Sequence, residues 1–108
     1  MHDRVLQYET LGGKRPFTEW LQSLKDKNIR EHILARLDRL SLGNFGDCRW
    51  VGEGVHELRF HFGHGYRVYF GIDRLTIVIL LCGGDKSNQE ADIRRAREHW
   101  HDYIRRTR

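Results

Sequence analysis

Residues 55–89, VHELRFHFGHGYRVYFGIDRLTIVILLCGGDKSNQ, decide how this chain folds. Side chains on a β-strand point alternately to opposite faces. Along 55–62, His56, Leu58, Phe60 and Phe62 share one side, and Val55, Glu57, Arg59 and His61 share the other. Along 66–72, Tyr66, Val68, Phe70 and Ile72 form an apolar set, with Arg67, Tyr69 and Gly71 opposite. The two apolar sets reach one core only if facing residue numbers sum to an even number. A two-residue turn cannot give that, whereas the three-residue loop Gly63-His64-Gly65 can, with Gly65 left-handed. The expected register sets Phe62 opposite Tyr66, His61 opposite Arg67, Arg59 opposite Tyr69 and Glu57 opposite Gly71. Directly facing residues lie about 4.5–5.5 Å apart at Cβ, so Arg59, His61, Arg67 and Tyr69 should form one cluster.

A third strand, 75–82, is apolar on both faces. A two-residue turn at Asp73-Arg74 would put Leu75, Ile77, Ile79 and Leu81 on the core side, Val78 beside Tyr69 and Leu80 beside Arg67. Asp-Arg lacks the glycine such turns favour, so a bulge using Gly71 is the alternative.

Outward from this meander, Arg4 to Glu9 alternates as an opening strand. Pro16 suits the first turn of a helix carrying Phe17, Trp20, Leu21 and Leu24 at i, i+3, i+4, i+7 spacing. A second helix is predicted from Asn28, as cap, to Ser41, with Ile29, Ile33, Leu37 and Leu40 inward. Cys48–Val51 reads as a short strand or an irregular lead-in. Ser87 and Glu90 have capping-box spacing before a last helix with Ile93, Ala96, Trp100 and Ile104 on one stripe. The order β-α-α-β-β-β-α predicts an α+β fold, an antiparallel sheet with helices packed on one face and the Arg59 face uncovered.

The 108 residues are expected to form a single domain, 1–108, with 39% hydrophobic and 31% charged residues typical of a globular chain. Nineteen Lys and Arg against fifteen Asp and Glu give +4, and most of the excess lies from Val55 onward, which suits a polyanionic partner. No segment approaches the ~18 apolar residues of a membrane span, and the start lacks a signal-peptide core, so a cytoplasmic location is expected. Cys48 and Cys82 are then expected to be reduced.

Seven histidines and two cysteines raise the question of a metal, but no Cys-x-x-Cys or His-Glu-x-x-His arrangement is present. Gly83-Gly84-Asp85-Lys86-Ser87 has Asp85 where a phosphate-binding loop needs glycine. Cleavage of RNA fits better. The substrate's own 2′-hydroxyl is the nucleophile, so no metal or organic cofactor is needed, only alignment, a proton carrier and positive charge for the phosphorane. Arg59 and Arg67 supply guanidinium forks that match phosphate oxygens, and Lys86 adds a mobile charge. His61 is the candidate acid or base, since imidazole titrates near neutral pH. Tyr69 is a candidate for stacking on a base or orienting the phosphate, with Glu57 and Arg94 also expected at the RNA-binding surface. The plainer readings are a surface Arg59–Glu57 ion pair, a structural His56 and a loop-tip His64.

Glu57-Leu58-Arg59, Gly65-Tyr66-Arg67-Val68-Tyr69-Phe70 and Gly83-Gly84-Asp85-Lys86-Ser87-Asn88-Gln89, followed by Asp92-Ile93 and Ala96, together resemble the HigB-like addiction module killer proteins. These belong to the RelE/ParE toxin superfamily and are related to phage Gp49-like proteins. The resemblance implies a type II toxin, commonly an mRNA interferase acting on mRNA at the translating ribosome and held inactive by a helix-turn-helix, HigA-like antitoxin. It also implies that Arg59, Arg67 and Lys86 surround the scissile phosphate. The RelE branch usually carries a catalytic tyrosine or histidine near the end of the sheet or in the tail. Tyr103, His99 and His101 lie in that region but on a helix. The superfamily leaves two other readings open, a ParE-like inhibitor of DNA gyrase and a non-toxic relic that binds its antitoxin.

Overall fold

The computed structural model describes residues 4–108. Along the chain come β1 (Arg4–Gln7), α1 (Pro16–Ser23), α2 (Lys27–Ser41), β2 (Cys48–Trp50), β3 (His56–Arg59), β4 (Arg67–Asp73) and β5 (Ile77–Gly84). A 3-10 turn (Lys86–Asn88) then leads into α3 (Gln89–Thr107). The five strands form one sheet in the order β1-β5-β4-β3-β2. The α+β class follows the sequence pattern, with two corrections. The sheet is mixed, because β1 runs parallel to β5. Helices also cover both of its faces.

The first face packs on α1 and α2: Phe17, Ile33, Leu37 and Leu40 meet Leu58, Val68, Phe70, Val78 and Leu80. The second packs on α3: Ala96 and Trp100 meet Val55, Tyr69, Ile79, Leu81 and Cys82. The second face needs cover because β5 is apolar on both sides, and β5 is turned over relative to expectation. Asp73, Arg74, Leu75 and Thr76 make the β4–β5 turn, with Arg74 and Leu75 both left-handed (φ 55° and 66°) and Thr76 N–H donating to Asp73 O. Asp73 therefore faces Ile77, which sends Val78 and Leu80 to the α1/α2 face and Ile79 and Leu81 to the α3 face. A one-residue change of pairing exchanges every side chain of a strand between faces. Leu81 is the extra residue of a bulge, since Phe70 faces Leu80 while Tyr69 faces Cys82.

The β3–β4 hairpin keeps its predicted faces but slips by two residues. Arg59 faces Arg67, Leu58 faces Val68 and Glu57 faces Tyr69. Gly63 as well as Gly65 is left-handed (φ 57° and 70°), and Phe60 N–H still bonds Tyr66 O, so the connection is longer than three residues. An even slip preserves parity, which is why the face assignment survives.

Two helix starts also differ from expectation. Asp26, not Asn28, caps α2 by accepting from Asn28 N–H. At α3 no Ser87–Glu90 capping box forms; Asp85 caps the 3-10 turn by accepting from Ser87 N–H.

Glycines set how closely the helices approach. A Cβ at Gly71 would lie 2.3 Å from the Trp100 ring of α3, and one at Gly83 would lie 2.2 Å from the Trp20 ring of α1. Each indole thus lies directly against strand backbone on its own face. Gly71→Ala should destabilise the protein by about 1–3 kcal/mol through overpacking, read as a lower urea midpoint at unchanged slope.

Candidate functional site

The site forms at one end of the sheet, where β3 stops, β4 starts and β5 stops. Arg59 is the last residue of β3, Arg67 the first of β4, and Gly84, which faces Arg67, the last of β5. Lys86 follows on the 3-10 turn, whose backbone reaches the hairpin loop through Lys86 N–H to His64 O at 3.5 Å. Arg59, His61, Phe62, Arg67 and Lys86 line one open cleft of about 350 Å³. The four residues singled out as catalytic candidates thus share one concavity. Gly65 leaves room for both side chains, since a Cβ there would sit 3.3 Å from Lys86 Cδ and 3.4 Å from Arg67 Nη1.

These cations are not equivalent. Arg59 Nε and Nη2 both donate to Asp47 Oδ1, at 3.3 and 3.0 Å, so its fork is already occupied by a carboxylate. His61 Nε2 bonds the other oxygen, Asp47 Oδ2. Those two contacts, His61 first and Arg59 second, hold the Asp47 carboxyl below the usual carboxylate range. Arg67 is mostly buried and donates from Nη1 to Gly65 O at 2.6 Å. Its Nε lies 3.5 Å from Glu57 Oε2 without a hydrogen bond, and Nη2 has no partner among the described residues. Lys86 is exposed and makes no ion pair among the described residues. Arg67 and Lys86 are therefore the cations free to meet an incoming anion.

Beneath the cleft Glu57 is fully buried. Arg49 Nε donates to its Oε1 at 2.9 Å, and Tyr69 Oη and Gln89 Nε2 donate to Oε2 at 3.0 and 2.9 Å. A buried carboxylate survives only with partners of this kind. Burial, then the neighbouring Glu57 charge, push the Tyr69 phenol far above its ordinary pKa, so it stays a neutral donor. This corrects the expectations for two residues. Tyr69 has no exposed ring on which a base could stack, and Glu57 is out of reach of RNA; both support the site from below. Arg94 is exposed but lies in an adjoining cleft of about 490 Å³ at the start of α3, which shares Lys86 with the first.

Sequence reasoning missed Asp47, Arg49 and Gln89. Each enters through a pairing that the hairpin pattern does not encode: Arg49 faces Glu57 across β2–β3, and Gln89 arrives with α3. The tail candidates are engaged elsewhere. Tyr103 donates to Asp73 Oδ2 at 2.7 Å, His99 stacks on Tyr8, and His101 lies 3.2 Å from Glu53. His56 is structural, stacked on Phe70 at 5.2 Å, with its pKa lowered by burial. Among the described residues no three His, Cys, Asp or Glu side chains group so as to hold a metal ion, and no helix is long and apolar enough to cross a membrane.

The model of the phage-derived Gp49-like family (DUF891) matches residues 19–100, from α1 to Trp100 on α3. The chain belongs to that family. A relative carrying no assigned role, an uncharacterized protein of Haemophilus influenzae, is 49% identical over 81 residues, covering 75% of this chain and 82% of its own. The Gp49-like match contains every residue of the cleft and of the Glu57 cluster beneath it.

Tyr69→Phe should keep the fold but cost about 1.5–3 kcal/mol, because a buried carboxylate loses one of its donors. Chemical denaturation at neutral pH reads this directly.

Proposed function

We propose that this chain is the toxin of a type II toxin–antitoxin pair, an endoribonuclease that cuts single-stranded mRNA at the ribosome and so stops translation. The observation that carries this reading is the convergence of Arg67, Lys86, Arg59 and His61 on one cleft. The Gp49-like family's association with toxin–antitoxin toxins supports it. The cleft is open to solvent, which suits an extended strand better than an enclosed small molecule.

The chemistry needs little beyond what these side chains offer. The 2′-hydroxyl attacks the adjacent phosphorus, the bond to the 5′-oxygen breaks, and a 2′,3′-cyclic phosphate and a 5′-hydroxyl result. Arg67 and Lys86 stabilise the phosphorane as its charge grows, an effect worth about 10²–10³ in rate for a single well-placed donor. His61 moves the proton. Arg94 and the second cleft extend the positive track along the RNA backbone. A helix-turn-helix antitoxin with an acidic segment would silence the toxin by covering these cations.

Induction of the chain alone should arrest growth and reduce translation, and Arg67→Ala should relieve both, with cleavage of mRNA reduced about 10²-fold or more. A folded Arg67→Ala protein as toxic as the parent would overturn the reading. So would a DNA-damage response with intact mRNA, which selects gyrase inhibition, or retained antitoxin binding without any growth arrest, which selects a non-toxic role.

A further inference from the structure

Asp47 sits just before β2, at the edge of the cleft where Arg59 and His61 meet it. Its position is fixed twice by β3: Arg59 N–H donates to Asp47 O at 2.9 Å, and the Arg59 guanidinium grips Oδ1. The remaining oxygen, Oδ2, is thereby held toward His61 Nε2. Arg36 of α2 braces the same corner, donating to Arg59 O at 3.0 Å and Phe45 O at 3.2 Å. The charged and titratable groups around Asp47 are thus Arg59 from β3, Arg36 from α2, His61 from the hairpin loop and the neighbouring Cys48 thiol.

A carboxylate only accepts hydrogen bonds, so the ring nitrogen facing it must carry the hydrogen. In neutral His61 that is Nε2, which leaves the lone pair on Nδ1. Nδ1 has no hydrogen-bond partner among the described residues, and the ring lines the cleft that holds Arg67 and Lys86. An exposed histidine with a free choice of tautomer would put its lone pair on the wrong nitrogen part of the time. The Asp47 clamp removes that choice.

We infer that Asp47 is a positioning residue for the proposed cleavage, fixing the His61 ring and its tautomer so that Nδ1, not Nε2, exchanges the proton with RNA. The inference rests on the nuclease reading above. In the step itself Nδ1 takes the proton of the 2′-hydroxyl as O2′ bonds to phosphorus, and Asp47 balances the imidazolium formed. The P–O5′ bond breaks, and the departing 5′-oxygen takes its proton from the imidazolium or from water. Asp47 touches neither the RNA nor the reacting atoms.

The test is Asp47→Asn, whose amide can turn its NH₂ toward Nε2 and favour the opposite tautomer without changing side-chain size. Long-range proton–nitrogen NMR of histidine-labelled protein, at a pH where the ring is neutral, should show His61 as the Nε2–H form in the native chain and a shift toward Nδ1–H in the variant. Single-turnover RNA cleavage should fall by about 10²–10⁴-fold with RNA affinity little changed. In a His61→Ala background the same change should cost little more, which separates the histidine-mediated effect from loss of the Arg59 pair. A native Nδ1–H tautomer, a variant that cleaves at the native rate, or an undiminished loss in the His61→Ala background would each overturn the assignment. A native chain with the Nε2–H tautomer that cleaves no RNA would instead overturn the nuclease reading, and the catalytic part of this role with it.

Discussion

The Glu57 carboxylate, buried out of contact with water, is the constraint on which the rest of this structure turns. Removing a carboxylate from water costs several kcal/mol unless it gains donors in good geometry. Here the donors come from three elements: Arg49 on edge strand β2, Tyr69 on β4 and Gln89 on the first turn of α3. Arg67 adds its charge at 3.5 Å. Edge strand, central strand and helix start must therefore be correctly assembled before the charge can be accommodated. The same cluster sits directly below the cleft, so the fold's most demanding electrostatic requirement and the orientation of its central cation are one problem with one solution.

This arrangement explains how a chain of modest net charge can offer a strong local one. Several arginines are engaged in exposed pairs that are worth little in stability, among them Arg15 with Glu9, and Arg105 and Arg106 with Asp102. At the cleft the balance differs. Asp47 is shared between Arg59 and His61, and Glu57 is shared among Arg49, Arg67, Tyr69 and Gln89. Lys86 and one edge of the Arg67 guanidinium have no partner among the described residues. Local charge follows from which partners are shared, not from the count of basic residues.

Much of this was legible in the residues, and the failures share a cause. The β3–β4 faces were readable because alternation is a local property of each strand. The partners across the strands were not, since they depended on Gly63 joining Gly65 in the left-handed region. The β4–β5 turn misled more seriously: Arg74 and Leu75 adopt positive φ without any glycine to announce it, and the odd shift, with Val78 facing Ile72 rather than Tyr69, inverted β5. Because β5 is apolar on both faces in either orientation, α3 covers the second face and buries Tyr69. Arg59, His61, Arg67 and Lys86 share one cleft because they lie at the sheet end, near the loop that joins β3 and β4. Asp47, Arg49 and Gln89 had no pattern to reveal them, as each reaches the site only through tertiary pairing.

The most direct test of the account is a double-mutant cycle between the buried carboxylate and the cation above it, using single-turnover cleavage of a single-stranded RNA by folded proteins. Glu57→Gln and Arg67→Ala should each slow cleavage, and the double variant should be scarcely slower than Arg67→Ala alone, because Glu57 acts by holding Arg67 in place. A folded Glu57→Gln protein with the native rate, or two losses that simply multiply, would contradict the claim that this carboxylate organises the site.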